Sequence, residues 1–305
     1  MQWVPLRMEL LDGRLVSAQI LQQLTEQVER LRAAGKRPPH LVAMLIGHNG
    51  ASETYVASKI RRCAEVGYDS TLIRFEESVS EGEVLAKIAE INNDPGIDGL
   101  IVQLPLPAHI DPHKVTIAID PMKDVDGFHP ENFGRVAKGL GGFIAATPLG
   151  ILRLLEHYQI QTAGAHAVVL GRSQIVGLPM SVLLQRSTRT GNATVTLCHS
   201  RTRNLAEVTR SADILIAAIG QPGFVTADMV KKGAVVIDVG LTRVEDSSKK
   251  AGFRLAGDVD FATVAPKCSY ITPVPGGVGL MTICGLLENT MRAYDGKSRQ
   301  LKAAE

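Results

Sequence analysis

Short apolar runs of strand length alternate with segments of helical periodicity along most of this chain, and this alternation limits its possible folds more than any other feature. In the helical segments, apolar residues recur every three or four positions. The alternation is typical of α/β proteins with a parallel sheet. In the first half it predicts strands at 40–47, 70–75 and 98–107, and helices at 14–35, 51–66 and 80–93.

A second alternating series follows an irregular stretch at about 120–146. Its strands are predicted to be buried and parallel, at 166–171, 193–200, 212–220 and 234–240. We therefore expect two α/β domains, residues 1–146 and 147–278, followed by a last helix at about 279–305. Periodicity does not decide which domain that helix joins.

The composition narrows the class of partner. Lys plus Arg total 33 against 31 Asp plus Glu, so the chain lacks the basic excess of a nucleic-acid or membrane-surface binder. No stretch reaches the roughly 20 apolar residues of a membrane span. The four cysteines form no CxxC pair, and the eight histidines form no ligand pair with a carboxylate. We expect a cytoplasmic protein with free thiols, no metal and a small-molecule partner.

The start of the second domain contains a candidate nucleotide-binding turn. Residues 166–185 predict a strand, a tight turn at Gly171 and a helix that begins near Ile175. In dinucleotide-binding folds this arrangement directs backbone N–H groups at a pyrophosphate. The usual GxGxxG pattern is altered, because Ser173 stands at the second glycine and the next glycine is Gly177. Alone, the turn is equally compatible with an ordinary strand-to-helix connection.

The end of the following strand bears on the choice of dinucleotide. An NAD-binding protein usually has an Asp or Glu there, which holds the ribose hydroxyls. This chain has Ser200 and Arg201 instead. Together with Arg172 they can hold a 2'-phosphate, because they supply donors and no negative charge. The sequence thus favours NADP, although each arginine alone is as compatible with a solvated surface position.

Four polar residues of the first domain form a second candidate site. Tyr55 and Lys59 lie four residues apart and therefore share one face of a helix. Gln103 stands at the end of a predicted strand, at the sheet edge where α/β proteins bind ligands, and Asp126 stands in the sequence DVDG. Taken singly, a helix lysine is more often solvated, and an Asp beside a Gly is more often a turn residue.

Five segments in order, YVASK, DGLIVQLPLP, KDVDGFHP, GRSQIVGLP and ITPVPGGVG, resemble the signature segments of the bifunctional methylenetetrahydrofolate dehydrogenase/cyclohydrolases. The resemblance runs from about residue 10 to residue 292. It implies an N-terminal α/β folate-binding domain, which the last helix joins, a Rossmann-like NADP-binding domain with a parallel sheet, and a cleft between them. It also implies a homodimer and two reactions: NADP-dependent oxidation of 5,10-methylenetetrahydrofolate, and hydrolysis of the 5,10-methenyl product to 10-formyltetrahydrofolate.

The resemblance also assigns roles to residues. Lys59 matches the family's catalytic lysine, and Gln103 matches the glutamine that touches it. Asp126 matches the aspartate that binds the pterin, and Tyr55 packs on the folate, which completes the catalytic set. The implied substrate-binding residues are Tyr55, Val102, Gln103, Leu104, Asp126, Pro273, Gly276 and Gly277. The implied NADP-binding residues are Gly171, Arg172, Ser173, Ile175, Val176, His199, Ser200, Arg201, Ala218 and Gly220.

The two reactions make different demands on these residues. Hydride transfer requires mainly orientation, because the cofactor carries the redox chemistry. Hydrolysis requires a proton to move while water attacks the methenyl carbon. A lysine can move that proton when burial or a positive neighbour lowers its pKa from about 10.4. We therefore expect Lys59 to serve hydrolysis more than hydride transfer, with Gln103 orienting it and Asp126 holding the pterin.

Two positions depart from the family pattern. Ala146 stands where most relatives have Cys, and Leu280 stands where they commonly have Pro. Neither change removes a polar group that the mechanism uses. Two alternatives stay open: a monofunctional dehydrogenase, linked to NAD or NADP, and a non-catalytic nucleotide-binding subunit. The presence of all four polar residues of the first domain argues against both.

Overall fold

The structure, a computed structural model, describes residues 8–249 and 252–304. These residues form two compact units. The N-terminal unit comprises Ala18–Ala146 and Ile283–Glu305, and the central unit comprises Met1–Ser17 and Thr147–Thr282, each as far as it is described. Residues 1–7 of the predicted first domain and residue 305 of the predicted last helix lie outside the described residues.

Helices and strands alternate as the sequence predicts, and the mixed α/β class is confirmed. The α-helices are α1 (Gly13–Ala33), α2 (Gly50–Val66), α3 (Glu81–Asn93), α4 (Pro112–Ala118), α5 (Pro130–Ala137), α6 (Ala146–His157), α7 (Gly177–Gln185), α8 (Leu205–Arg210), α9 (Phe261–Val264) and α10 (Val278–Ala304). The strands are β1 (Glu9–Leu10), β2 (His40–Ile46), β3 (Asp69–Phe75), β4 (Gly99–Val102), β5 (His166–Leu170), β6 (Thr194–Cys198), β7 (Ile214–Ala217), β8 (Val235–Asp238), β9 (Thr242–Glu245), β10 (Phe253–Ala256) and β11 (Tyr270–Ile271).

A parallel three-stranded sheet, ordered β3-β2-β4, lies in the N-terminal unit. The middle strand β2 is buried from Leu41 onward, as a near-continuous apolar run in a parallel sheet requires. Its Val42 and Met44 pack in one cluster with Ile88 of α3 and Leu100 of β4. This packing fixes the carboxyl ends of β2 and β4 side by side.

A parallel six-stranded sheet, ordered β1-β11-β8-β7-β5-β6, lies in the central unit. The four strands predicted from the sequence are β5 to β8, and all are parallel. Three of them are buried, but β6 is an edge strand and only its Cys198 is buried, so the expectation of four buried strands is wrong for β6. The sheet is extended by β1 and β11, which have two residues each and were not predicted. An antiparallel pair, β9 and β10, was also not predicted.

Two further differences concern helices. The stretch at 120–146, predicted to be irregular, contains α5, which begins at Pro130 after His129, whose ring accepts the N–H of Glu131. The helix expected to begin near Ile175 begins at Gly177 instead. The helix begins two residues later than expected, where the Ser173 hydroxyl accepts the N–H groups of Val176 and Gly177.

The last helix, α10, has its residues from Ile283 onward in the N-terminal unit. There the Asn289 amide donates to the carbonyls of Val125 and Ile144, and the Tyr68 hydroxyl donates to that of Leu287. All four cysteines are free and buried. None of the helices in the described part of the chain has the length and apolar character needed to cross a membrane.

Candidate functional site

Lys59 is the centre of a polar group in the N-terminal unit. It lies on α2, on the same side as the buried Val56 and Cys63, and only 4% of its surface is exposed. The Nζ atom donates to Gln103 Oε1 at 3.3 Å and lies 3.9 Å from Asp126 Oδ1. It also lies 5.0 Å from the centre of the Tyr55 ring, within the range of a cation–π contact. The structure thus brings together the four polar residues that the sequence selects in this domain.

The orientation of Gln103 follows from the backbone around it. Its N–H donates to Met44 O at 2.9 Å, which continues the β2–β4 pairing by one residue. Its side-chain Nε2 donates to Leu104 O at 2.7 Å, so the amide oxygen is the atom left to face Lys59. The Ser52 hydroxyl of α2 donates to the same Leu104 carbonyl at 3.4 Å. Three proposed substrate-binding residues, Val102, Gln103 and Leu104, therefore follow one another where β4 ends.

The loop that carries Asp126 is held by a second aspartate, Asp124. The Asp124 carboxylate accepts the N–H of Phe128 at 3.1 Å and of His129 at 2.9 Å. The Asn132 amide donates to it at 2.9 Å. Burial raises the pKa of Asp124 to about 6, and the nearby Asp126 charge adds to that effect. The first Asp of the DVDG sequence therefore shapes the loop, and the second is left to face Lys59.

Cys63 and Asp126 are two ionisable side chains close to the Lys59 amine. Cys63 lies one helical turn further along α2, and burial raises the pKa of its thiol to about 12 despite the opposing charge of Lys59. The thiol therefore stays protonated at neutral pH. The Asp126 carboxylate lies within 4 Å of the amine, and its side chain is 13% exposed against 5% for Lys59. A ligand that reaches Asp126 consequently also reaches the buried amine of Lys59.

The glycine turn of the central unit stands at the carboxyl edge of β5. Leu170 pairs with Cys198 of β6 on one side and with Ala217 of β7 on the other. The chain runs from β5 to β6 and then crosses back to β7, so β5 and β7 mark the point where the direction of winding changes. Parallel α/β sheets bind ligands outside the strand ends at such a point.

Close backbone contacts require glycine in this turn. Gly171 has φ +112°, and a Cβ atom there would lie 2.1 Å from Ala218 O. A Cβ atom on Gly177 would lie 1.9 Å from Gly171 O. The two glycines therefore allow strand, turn and helix to pack closely, as a dinucleotide site requires. Ser173, at the position of the usual second glycine, uses its hydroxyl to hold the start of α7.

The predicted 2'-phosphate residues flank this turn. Arg172, Ser200 and Arg201 are exposed, and among the described residues neither guanidinium has a carboxylate partner. His199 holds the segment in shape, because its N–H donates to Thr202 Oγ1 at 2.9 Å and its Nδ1 accepts the N–H of Arg201 at 3.2 Å. Exposed donors without a competing acid fit a phosphorylated ribose, so the residues present fit NADP. Of the remaining predicted contacts, Val176 is buried, Ile175 is exposed, and Ala218 and Gly220 follow β7.

The predicted folate-contacting loop Pro273–Gly277 also lies in the central unit. Gly276 has φ +114°, and a Cβ atom there would lie 3.2 Å from the Arg14 guanidinium. A Cβ atom on Gly13 would lie 2.3 Å from Gly277 O, so the start of α1 packs directly on this loop. The contact of Pro273, Gly276 and Gly277 with a folate stays a prediction.

Sequence reasoning missed the buried polar residues that hold these loops. Asp124 and Asn132 hold the loop of Asp126, and Asp238 and Asp258 hold loops of the central unit. One signal was available, because Asp238 ends an apolar strand at the ligand-binding edge. The partners of these residues are loop groups whose positions depend on the fold, and those of Asp258 and some of those of Asp238 are also distant in sequence, which a residue pattern does not reveal. Among the described residues no group of three or more His, Cys, Asp or Glu could hold a metal ion.

Comparison with protein families covers most of the chain. Residues 11–126 match the model of the tetrahydrofolate dehydrogenase/cyclohydrolase catalytic domain, and residues 145–298 match the model of its NAD(P)-binding domain. The chain is 58% identical over 291 residues to the bifunctional protein FolD of Porphyromonas gingivalis, an alignment that covers 95% of this chain and 98% of that protein.

Solved structures give a similar result. The chain resembles the bifunctional enzyme FolD, a methylenetetrahydrofolate dehydrogenase/cyclohydrolase, from Campylobacter jejuni with TM-score 0.89 and 44% identity, over 95% of this chain and 99% of that one. It resembles the methylenetetrahydrofolate dehydrogenase-cyclohydrolase of Trypanosoma brucei, solved with NADP and an inhibitor, with TM-score 0.89 and 37% identity, over 94% and 97%.

Proposed function

Because the chain belongs to the tetrahydrofolate dehydrogenase/cyclohydrolase family, we propose how its residues carry out the two activities of that family. The enzyme oxidises 5,10-methylenetetrahydrofolate with NADP, and it hydrolyses the 5,10-methenyl product to 10-formyltetrahydrofolate. It is thus both an oxidoreductase and a hydrolase of one-carbon folate metabolism. The observation that carries the assignment of residues is the buried amine of Lys59, with Gln103 Oε1 at 3.3 Å and Asp126 Oδ1 at 3.9 Å.

The folate is held beside Lys59 by Asp126 and Tyr55. The Asp126 carboxylate is an acceptor only, and it suits the N–H groups of a pterin. The Tyr55 ring offers an apolar face for the folate. The adjoining Val102 and Leu104 complete the wall, and Pro273, Gly276 and Gly277 border the folate in the same proposal. Support comes from the shared position of Asp126, Gln103 and Tyr55 around one amine.

Residues at the carboxyl edge of the central sheet hold NADP, which when bound supplies the acceptor for a hydride. Gly171 and Ala218 let the backbone approach the dinucleotide closely, and Arg172, Ser200 and Arg201 take the 2'-phosphate. These residues bind and orient, and they take no part in breaking bonds. The absence of an acid at Ser200 and Arg201 supports NADP over NAD.

Hydrolysis is the step that uses Lys59. Water adds to the cationic methenyl carbon and loses one proton to solvent. The bond from that carbon to N5 then breaks as the new hydroxyl loses its proton and N5 takes one up, which leaves the formyl group on N10. Lys59 relays the proton between these positions. Gln103 keeps the amine directed at the reacting carbon, because its own amide is fixed by the Leu104 carbonyl.

Purified protein given 5,10-methylenetetrahydrofolate and NADP tests the assignment. We expect NADPH to form and methenyl-folate absorbance to rise and then decay faster than in buffer. Persistent methenyl-folate would indicate the monofunctional dehydrogenase, and equal rates with NAD would remove the role of Arg172, Ser200 and Arg201. If neither NADPH forms from NADP nor NADH from NAD, a non-catalytic binding role becomes the better account.

The assembly and location belong to the same proposal. We expect a homodimer in the cytoplasm, as the resemblance implies. Light scattering on the purified protein tests the first point, because a particle of 32.7 kDa, the mass of one chain, would contradict it. Fractionation of the producing cells tests the second, and recovery with membranes would contradict it.

A further inference from the structure

Asp258 is a buried carboxylate at the ligand-binding edge of the central sheet. It is 0% exposed, and its Oδ2 atom accepts the N–H of Ile219 at 2.7 Å and of Gly220 at 3.0 Å. Its Oδ1 atom is buried without a hydrogen-bond partner in the described part of the chain. The side chain therefore serves one turn, the one that follows β7.

That turn is coupled to the glycine turn through Ala218. The N–H of Ala218 donates to Leu170 O at 2.8 Å, so Ala218 continues the β5–β7 pairing. Its carbonyl lies where a Cβ atom on Gly171 would be only 2.1 Å away. Since the contact is this close, the two turns cannot shift independently. Fixing Ile219 and Gly220 therefore also fixes the backbone beside Gly171.

A second buried carboxylate, Asp238, fixes Asp258 in turn. Asp238 ends β8, and its carboxylate accepts the N–H of Gly240 at 3.0 Å, of Asp258 at 2.8 Å and of Val259 at 3.0 Å. A Cβ atom on Gly257 would lie 1.9 Å from Asp238 Oδ2, so no other residue fits there without a shift. The Asp238 carboxylate thus fixes the backbone of Asp258 and of the residue that follows it.

Asp238 also connects to the loop that begins at Pro273. The N–H of Asp238 donates to the Thr272 hydroxyl at 2.7 Å, and Thr272 directly precedes Pro273. The hydrogen bonds therefore run from the turn after β7, through Asp258 and Asp238, to the end of β11. Three segments that the proposed function assigns to ligands are held by this one chain of contacts.

The charges around Asp238 and Asp258 indicate that their carboxylates position the backbone. Among the described residues neither has a Lys or Arg partner, and their donors are backbone N–H groups. Burying a carboxylate without a cation is costly, and well-packed apolar residues would stabilise the fold at least as well. What apolar residues cannot do is accept the N–H groups of two loops in one fixed geometry.

We propose that Asp258 is a positioning residue for the nucleotide site and that Asp238 supports it. Asp258 holds residues 218–220 in the geometry that accepts NADP. This inference rests on the proposed function, because it takes the edge of β5 and β7 as the cofactor site. It predicts that Asp258 affects NADP affinity selectively. Hydrolysis of methenyl-folate does not depend on the Asp258 side chain, because Lys59 moves the proton and the loop that begins at Pro273 is held through Asp238 and Thr272.

Binding of NADPH to Asp258→Leu and Asp258→Asn, measured by NADPH fluorescence, tests the proposal. Leu leaves two buried N–H groups without an acceptor, so we expect NADPH affinity to fall at least about tenfold. Asn keeps one acceptor oxygen for both N–H groups, so its affinity should stay within about threefold of wild type. Asp260→Leu is the matched control, because Asp260 lies two residues further along the chain and its carboxylate accepts the hydroxyl of the neighbouring Thr263 at 2.8 Å. Methenyl-folate hydrolysis without NADP should stay within about twofold in all three.

Equal NADPH affinity in wild type and a folded Asp258→Leu would overturn the proposal, as would equal losses of binding and hydrolysis. Failure of wild type to bind NADPH would overturn the proposed function instead. If Asp258→Leu does not fold, amide hydrogen exchange on wild type decides. The proposal requires slow exchange at Ile219 and Gly220, and exchange as fast as at the exposed Gln221, whose N–H has no acceptor among the described residues, would contradict it.

Discussion

A lysine amine that loses nearly all of its hydration must find protein partners, and Lys59 has three. The Gln103 oxygen accepts a hydrogen bond, the Asp126 carboxylate supplies the opposite charge, and the Tyr55 ring lies alongside. The amine to carboxylate distance of 3.9 Å is long for a direct ion pair. A folate bound at Asp126 can therefore share both groups without first breaking a tight bond between them.

Replacing Gln103 tests whether the amide oxygen orients the lysine. In Gln103→Leu the amine loses its hydrogen-bond acceptor, and we expect kcat for methenyl-folate hydrolysis to fall about 100-fold, within the usual range for proton-transfer catalysis. Hydride transfer should fall less. Gln22→Leu, on the exposed side of α1, is the control and should leave both rates unchanged. Steady-state assays of each step measure this, and equal loss in both steps would contradict the assigned role.

Replacing Arg201 tests the 2'-phosphate site. Loss of one charge-assisted bond to a phosphate in Arg201→Ser should raise KM for NADP about tenfold. KM for NAD should stay the same, because NAD lacks that phosphate. Arg254→Ser, an exposed arginine on β10, controls for net charge. If KM rises equally for both cofactors, Arg201 contacts something other than the phosphate.

For single residues, the sequence predicts those site positions that follow from a residue's place within one helix or at the end of one strand. Tyr55 and Lys59 share a helix face, and the end of β4 positions Gln103. Asp124 and Asp258 were missed because their partners are N–H groups of loops whose course only the fold determines. Burial of Lys59 was also not predictable from α2 alone, because a helix lysine is usually solvated.

The loop from Asp124 to His129 is held as one element, and Asn132 is its main support. Asn132 is buried; its amide donates to Pro121 O at 2.8 Å and Asp124 Oδ2 at 2.9 Å, and it accepts the N–H of Phe143 at 3.2 Å. The side chain thus ties both ends of the predicted irregular stretch to one point. Asp126 acquires its position from these contacts.

Asn132→Leu should therefore loosen the element that presents Asp126. Leaving several buried polar groups unpaired should lower the free energy of unfolding by about 2–4 kcal/mol. KM for the folate should rise and KM for NADP should not. Urea unfolding and steady-state kinetics measure these effects, with the exposed Asn93→Leu on α3 as control. A change in stability below about 0.5 kcal/mol would show that Asn132 is not the support.

Helices and strands were predictable from the sequence where they are long enough to show a periodic pattern of apolar residues. The strands β2 and β3 and the helices α1 to α3 follow their predicted ranges within one or two residues, whereas β4 ends at Val102, five residues before the predicted end at 107. The strands β1 and β11 have two residues each, too few for any period, and they form because β8 offers β11 an edge. The helix α5 was missed because its eight residues lie in a stretch rich in turn residues, although Pro130 is a usual first helical residue.

At the scale of the whole molecule, each unit has a buried carboxyl whose pKa is raised, Asp124 in the N-terminal unit and Asp238 in the central unit. Burial raises the pKa of Asp124 and of Asp238 to about 6, from a usual value of 3.8. A carboxyl whose pKa is raised by folding stabilises the folded state most below about pH 4. That contribution is lost as the pH rises through about 6.

The free energy of unfolding should therefore fall between about pH 4 and pH 7, by on the order of 2–3 kcal/mol for each of these carboxyls. Urea unfolding at several pH values measures the slope. In Asp124→Asn, which cannot ionise, the contribution of that carboxyl should vanish and the fall should shrink by roughly half. An unchanged slope in this variant would show that Asp124 does not titrate in this range.

The sequence predicts only in part which residues belong to which of the two units. The described residues before Ala18 belong to the central unit, because β1 pairs with β11. A pattern analysis places them with the helix and strands that follow them along the chain. Pairing between segments some 260 residues apart leaves no local trace, so only the fold reveals it.

The role of Lys59 is tested most directly by supplying 5,10-methenyltetrahydrofolate to Lys59→Met and following its absorbance, with Lys87→Met on α3 as the control. Met keeps the length and apolar stem of the side chain and removes the amine. We predict that hydrolysis in Lys59→Met falls to the rate in buffer, while NADPH still binds and the control equals wild type. Hydrolysis at the wild-type rate in a folded Lys59→Met would contradict the proposal that this lysine moves the proton.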